Sequence, residues 1–312
     1  MPVPQETTFR TYNAAQGKHY AQTRPDYHPS VYAHIVDTHI ATGGQLGTLV
    51  DVGCGPGNCS RALAPRFAHA CGIDPSPAMI ATAKELGGTS ASGEPIHFGQ
   101  GDAHTFGTGS NKDGGDLVIE DGTVDLIVVG NAAHWFDMQQ FWPRAAALLR
   151  PGGSVAIWTS GELRVHPDSR CCEAVQAVMD KFLEEDLGPY MNDGNRLARG
   201  AYRDLLLPWT IPEPVAAFPQ DKFSRRDWTV GETFMTQGDM EVSMDLLEKV
   251  MSTSSPYTRW CEAHPNDVRT ENNILRKMRR SVERILQADG AAPGEERVRG
   301  VALGAVLIAK KA

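Results

Sequence analysis

Residues 49–57 read Leu-Val-Asp-Val-Gly-Cys-Gly-Pro-Gly, a short apolar run that breaks into a glycine-rich turn. Leu49, Val50 and Val52 suit a parallel strand covered on both faces. Gly53, Gly55 and Gly57 let the backbone turn sharply and bring a ligand against the main chain. A helix is expected to start near Asn58 or Ser60, both good N-cap residues. The spacing is G-x-G-x-G, not the G-x-G-x-x-G of a pyrophosphate-binding dinucleotide site. Asp51 places a negative charge at the strand end, which suits a cationic ligand better than a phosphate.

Strand and helix patterns alternate from about 48 to 159, which implies a parallel sheet flanked by helices. Strands are expected at 48–54, 69–74, 96–101, 124–130 and 153–159, with helices near 58–66, 76–86 and 138–149. The Gly-, Asp- and Ser-rich stretch 107–123 reads as a mobile surface insertion. Pro151-Gly152-Gly153 reads as a turn that ends a helix before the fifth strand. Beyond 160 the alternation stops. Residues 169–187 have helical periodicity, Pro-rich loops follow, and a second helical region covers roughly 240–288. Residues 298–310 look like a C-terminal strand completing the sheet. This predicts an α/β chain with one sheet and inserted cap helices: a core over 1–160, a cap over 161–295 holding one core strand, and a final core strand within 296–312.

Composition narrows the function classes. The chain has 312 residues, 41% hydrophobic and 22% charged, which is ordinary for a folded enzyme. A formal charge of −8 argues against a broad phosphate-binding surface, so nucleic acid is not an expected partner. Arg276, Lys277, Arg279, Arg280 and Arg284 read as a solvated helix face. No apolar run approaches the roughly 20 residues needed to span a bilayer, and Met1 to Arg10 lacks a signal-peptide core. The six cysteines form no C-x-x-C pair or other metal spacing. We read them as reduced thiols of a cytoplasmic protein that binds no metal.

Two further acids fall at expected strand ends. Asp74 ends the second strand, where a carboxylate can accept hydrogen bonds from ribose hydroxyls, and Ser76 sits where it would cap the next helix. Asp102 closes the third strand and could accept from an adenine amino group, with Ala103 supplying a backbone donor. Asp51, Asp74 and Asp102 together line the carboxyl edge of the sheet, where ligands bind in open α/β folds. The fourth strand runs into Asn131-Ala132-Ala133-His134-Trp135-Phe136-Asp137. His134 is either a packed residue or a site residue, and Trp135 is either core or pocket wall.

These segments, with Leu149 to Trp158, His19-Tyr20-Ala21-Gln22-Thr23-Arg24-Pro25-Asp26-Tyr27-His28-Pro29 and Leu187-Gly188-Pro189-Tyr190 followed by Arg196-Leu197, resemble the trans-aconitate methyltransferase-like family of class I S-adenosylmethionine-dependent methyltransferases. The resemblance implies a Rossmann-like, mostly parallel seven-stranded sheet, S-adenosylmethionine as cofactor, and small-molecule acceptors, several of them carboxylates, with many fungal members in specialised metabolism. It also implies that Tyr20 and Arg24 close over the cofactor, Arg24 pairing with its carboxylate. The candidate cofactor set is Tyr20, Arg24, Asp51, Gly53, Gly55, Gly57, Asp74, Ser76, Met79, Asp102, Ala103, Asn131 and His134. Trp135, Trp158, Tyr190 and Arg196 are candidates for the acceptor. The family commonly has Trp where Met191 follows Gly-Pro-Tyr, and the resemblance fades at 107–123 and after 210.

Methyl transfer is an in-line displacement from a positively charged sulfur, so the protein mainly aligns the nucleophile and excludes water. A carboxylate acceptor needs no base, only anchors such as Tyr190, Arg196, Arg199 or Arg203. A hydroxyl acceptor wants a base, and His134 is the candidate. A protein that keeps the cofactor for a non-methylating reaction, such as a cyclisation, is the rival.

Overall fold

The computed structural model describes residues 26–107, 117–236 and 241–312. Helix α1 (Pro29–Ala41) precedes the alternating unit β1 (Thr48–Val52), α2 (Asn58–Leu63), β2 (His69–Asp74), α3 (Pro77–Leu86), β3 (His97–Gln100), β4 (Val124–Gly130), α4 (Met138–Leu148) and β5 (Leu149–Thr159). The cap follows as β6 (Leu163–Val165), α5 (Cys172–Lys181), a π-helical turn over Phe182–Asp186 and α6 (Asp193–Arg199). The chain returns to the sheet in β7 (Phe223–Asp227), then forms β8 (Glu241–Ser243), α7 (Met244–Met251), α8 (Ser255–Ala263) and α9 (Ile274–Ala288). It ends in β9 (Arg297–Ala302) and β10 (Ala305–Lys310).

Seven strands form one sheet in the order β3-β2-β1-β4-β5-β10-β7, and β10 alone runs against its neighbours. The apolar run of β1 has a direct cause. Val50 and Val52 pack into one buried cluster, with Ile127 and Val129 of β4, while Leu49 packs into another, with Leu126 and Val128. A strand covered on both faces has no polar side to present. The strand order reverses between β1 and β4, which leaves a crevice at their carboxyl ends. His39 ties α1 to the sheet: its ring contacts Ser154 Oγ at 2.9 Å and the Gln45 carbonyl at 2.9 Å. The carbonyl accepts only, so Nε2 carries the proton and Nδ1 accepts from Ser154.

Three expectations are corrected. Helix α2 begins at Asn58, but Gly57 is its N-cap and no side chain caps it. The Pro151-Gly152-Gly153 turn does not precede β5; it lies inside that strand, where the register shifts from Val124↔Leu149 to Leu126↔Ser154. Residues 298–310 are two strands. β9 pairs with β6 and β8 in a three-stranded cap sheet, and β10 crosses to the main sheet. The chain turns at Gly304, where a Cβ would lie 2.4 Å from the Phe234 ring. The cap has a hydrophobic core of its own, including Val175, Phe182, Leu247, Trp260, Met278 and Val282. The basic stretch of α9 is a surface face: Arg279 pairs with Asp245, Glu248 and Glu283, while Leu275, Met278, Val282 and Leu286 point into that core.

Candidate cofactor and acceptor site

A cavity of about 340 Å³ opens where the ends of β1, β2, β3 and β4 meet the cap. Its floor is the glycine turn. Gly53 and Cys54 both donate their amides to the Ile73 carbonyl, at 2.7 and 3.0 Å, which folds the turn back onto β2. Gly53, Gly55 and Gly57 have φ of +71°, +53° and +83°, the left-handed region that favours glycine. They differ in surroundings. A Cβ on Gly53 would lie 2.7 Å from Ala132, and one on Gly57 would lie 2.8 Å from the Phe98 ring. A Cβ on Gly55 would meet nothing within 4 Å, because that residue borders the cavity.

Asp74 holds this floor in place. Its Oδ2 accepts from Gly55 N at 2.9 Å and its Oδ1 from Ser76 N at 2.8 Å, and the residue lines the cavity. Asp102 also lines it, with Oδ1 accepting from His104 N, Thr105 N and Thr105 Oγ1 at 2.8, 2.9 and 3.1 Å. Burial alone would raise the Asp102 carboxyl, but these hydrogen bonds outweigh it and hold the group below the usual carboxylate range. Gly53, Gly55, Met79, Ala103, Asn131 and Trp135 complete the expected residues that reach the cavity. Asn131 is held at φ +52°, and its Oδ1 accepts from Thr159 Oγ1 at 2.8 Å.

Other expected residues sit elsewhere. Asp51 is 1% exposed and lies beneath the turn, accepting from Ser60 Oγ at 2.6 Å. Burial, and secondarily the charge of Asp74, pushes its carboxyl up to about 7 against the pull of the Ser60 hydrogen bond. Gly57 shapes the packing of Phe98 and does not line the cavity. Ser76 is buried as the N-cap of α3, accepting from Met79 N. His134, the expected base, is 7% exposed and does not line the cavity. The 3₁₀ turn Ala133–Trp135 rotates it inward, where Nδ1 meets Tyr202 Oη at 2.7 Å. Trp158 is core, packed edge-on to Tyr27 and Tyr32. Tyr190 meets His264 at 3.4 Å, and Arg196 is exposed at the surface of α6. Arg199 pairs with Glu162 at 2.6 Å. Tyr20 and Arg24 lie outside the described residues.

The structure adds residues that the sequence did not single out. Asp26 lines the cavity, and its Oδ1 accepts from Tyr32 Oη at 2.7 Å and from Tyr27 N at 2.7 Å. Burial keeps the Tyr32 phenol neutral and so a donor. His104 lines the cavity too, with Nε2 accepting from Asp137 N at 3.2 Å. Cys54 and Cys59 border it, and burial raises both thiols well above their ordinary value, so neither is a ready thiolate. From the cap come Leu163, Met235, Val250, Met251, Ser254 and Ala302. Asp26 and Tyr27 had a signal as part of the family-like segment 19–29, and Cys54 as part of the glycine-rich segment 49–57. The cap residues carry no motif, because any apolar side chain could serve. Among the described residues no cluster of His, Cys, Asp and Glu could hold a metal ion. No described helix is long and apolar enough to cross a membrane.

A crevice at the sheet's switch point, floored by a positive-φ glycine turn and bordered by carboxylates from successive strand ends, has the features with which Rossmann-like sheets bind nucleotide cofactors. It fits a ligand with a ribose and a cationic end: acids surround it, and Gly55 leaves open space where a side chain would stand. The known proteins agree. A family model described as a methyltransferase domain matches residues 50–157. A trans-aconitate 2-methyltransferase of Variovorax paradoxus is 30% identical over 59% of this chain and 68% of its own length. The probable S-adenosylmethionine-dependent methyltransferase CRG1 of Saccharomyces cerevisiae is 24% identical over 80% of this chain and 82% of its own length. The matches span 62%, 82% and 50% of the length of three curated relatives. A solved structure of a candidate type II methyltransferase from Anaeromyxobacter dehalogenans shares the fold at a TM-score of 0.60 and 20% identity, covering 92% of this chain and 97% of that one. The chain belongs to the class I S-adenosylmethionine-dependent methyltransferases. Its cofactor is S-adenosylmethionine.

Proposed function

We propose that this protein transfers a methyl group to an oxygen of a small carboxylic acid. The observation that carries the reading is the cap end of the cavity. Leu163, Met235, Val250, Met251 and Ala302 make it apolar, Ser160 and Ser254 also line it, and none of these residues offers a base. A carboxylate is ionised at neutral pH and is a nucleophile without proton removal, whereas an alcohol or phenol would need a base beside it. His134 is turned away from the cavity, toward Tyr202. The relative named for trans-aconitate acts on a carboxylic acid, which agrees with this assignment.

In this reading Asp74 holds the ribose hydroxyls, Asp102 and the Ala103 amide hold the adenine, and the backbone at Gly53 and Gly55 lies along the methionine part. S-adenosylmethionine supplies a methyl group already activated on a cationic sulfur. The residues of this chain orient the acceptor for in-line attack, and Met79, Phe136, Met235 and Met251 keep water away from it. An acceptor from fungal specialised metabolism and a cytoplasmic location belong to the same proposal.

The test is mass spectrometry after incubation with methyl-labelled S-adenosylmethionine and a panel of trans-aconitate, butanoate, hexanoate, octanoate and the matching alcohols and phenols. We expect labelled esters that are lost in mild alkali. Labelled products confined to the alcohols or phenols would refute the carboxylate reading, and no product on any member would refute oxygen methylation of this panel.

A further inference from the structure

Asp26 brings a half-satisfied carboxylate to the cavity. Its backbone is held, since the carbonyl accepts from Thr236 N and Oγ1 at 2.8 and 3.1 Å and Tyr27 bridges to Met235. The side chain is held through one oxygen. Oδ1 accepts from Tyr32 Oη and from Tyr27 N, both at 2.7 Å, while Oδ2 accepts no hydrogen bond from any described residue. Arg61, a guanidinium whose charge reaches Asp26, is bound instead to Pro56 O and Asn58 Oδ1 at 2.8 and 2.7 Å. No Lys or Arg is among the described residues that line the cavity. Asp26 is half-buried and lines it, and its spare oxygen, unlike Ser254 Oγ or Trp158 Nε1, is not sealed from solvent.

The place of Asp26 along the cavity decides which cation it meets. Asp102 follows β3 and Asp74 ends β2, so adenine and ribose at these acids send the rest of the cofactor toward the ends of β1 and β4. Asp26 is anchored at that end. Tyr32 Oη, which bonds to it, lies 3.7 Å from Cys59 Sγ in the first turn of α2. A Cβ on Gly130, the last residue of β4, would lie 2.9 Å from that sulfur and 2.8 Å from the Trp158 ring, on which Tyr27 packs. We infer that Asp26 is a cofactor-binding residue whose Oδ2 pairs with the ammonium of the methionine part of S-adenosylmethionine. This rests on the proposed placement of ribose at Asp74 and adenine at Asp102. An ammonium offers N–H donors as well as charge, and its bond to a carboxylate is charge-assisted. The sulfonium has no hydrogen to donate. Pairing also neutralises a charge that would otherwise repel a carboxylate acceptor.

The experiment titrates two ligands calorimetrically into the full chain: S-adenosylhomocysteine, and S-adenosyl-mercaptobutanoate, the same molecule without its amino group. Asp26→Asn keeps Oδ1 as the acceptor for Tyr32 and Tyr27 and removes only the charge. It should weaken S-adenosylhomocysteine about tenfold and change the affinity of the deamino analogue by less than about twofold. The melting temperature without ligand should stay the same, because no hydrogen bond within the protein is lost. Asp74→Ala should weaken both ligands alike, since both carry the ribose. Unchanged S-adenosylhomocysteine affinity in Asp26→Asn would overturn the inference. Equal losses on the two ligands would overturn it too, by showing that Asp26 supports the cavity and does not recognise the ammonium. No loss in Asp74→Ala would overturn the placement on which the inference rests, whereas loss there with none in Asp26→Asn would overturn the inference alone.

Discussion

A carboxyl group taken out of water prefers its neutral form, and Asp51 shows the consequence. Its pKa is raised from 3.8 to about 7, first by burial. Between about pH 4 and pH 7 the folded state therefore keeps a proton that the unfolded chain has released, and stability falls as pH rises through that window. Asp51→Asn removes the titration, so its unfolding free energy should decline less than the wild type's between pH 4 and 7 in urea titrations. An equal slope would mean that Asp51 is not neutralised by burial. For Asp74 the expectation concerns the ligand: Asp74→Ala should weaken cofactor binding at least about tenfold, and unchanged affinity would refute its assignment to the ribose. His134 belongs with stability. Its imidazole bonds to Tyr202, which is 1% exposed, so His134→Ala should cost about 2 kcal/mol and lower turnover on every acceptor alike. A loss confined to hydroxyl acceptors would restore it as a base. The sequence left His134 open between these roles because a motif gives position along the chain, while the 3₁₀ turn at 133–135 decides which way the ring faces.

At the level of elements, the glycine turn separates two effects that look identical in the sequence. Gly55 and Gly57 both need positive φ. Alanine at Gly55 should cost about 1 kcal/mol of stability from backbone strain, yet remove cofactor binding, because its methyl group would stand in the cavity. Alanine at Gly57 should unfold the protein more readily, because Cβ would press on Phe98. Similar affinity losses with similar melting temperatures in both variants would contradict this division. The strands β1 to β4 were legible because each is an apolar run or ends in an acid or glycine. The split of 298–310 was not. Val298, Val301, Ala302 and Ala305 to Ala309 are buried on both sides of the break, so hydrophobicity is continuous across it. Only the close approach of Gly304 to Phe234 marks where the chain leaves one sheet for another.

For the whole molecule, the cavity joins the sheet to the cap, so its ligand should report on both. Asp74 and Asp102 come from strand ends, Val250, Met251 and Ser254 from the end of α7 and the start of α8. Saturation with S-adenosylhomocysteine at a hundred times Kd should add about 2.7 kcal/mol and raise the melting temperature by roughly 4 °C. Hydrogen exchange should slow in the glycine turn and in α7–α8 together. Protection confined to the turn would show that the cap does not contact the cofactor site. The sequence by itself determined the α/β alternation, the cofactor class and most of the strand-end residues. These depend on local necessity: a strand buried on both faces must be apolar, and a tight turn against a ligand must be glycine. Tertiary structure alone decided the rest. It buried Asp51 and His134, left Arg196 in solvent, gave the cap its own sheet, and assembled the apolar cap end of the cavity from residues distant in sequence. Such a wall needs only volume and lack of charge, and many sequences meet that requirement, so no motif records it.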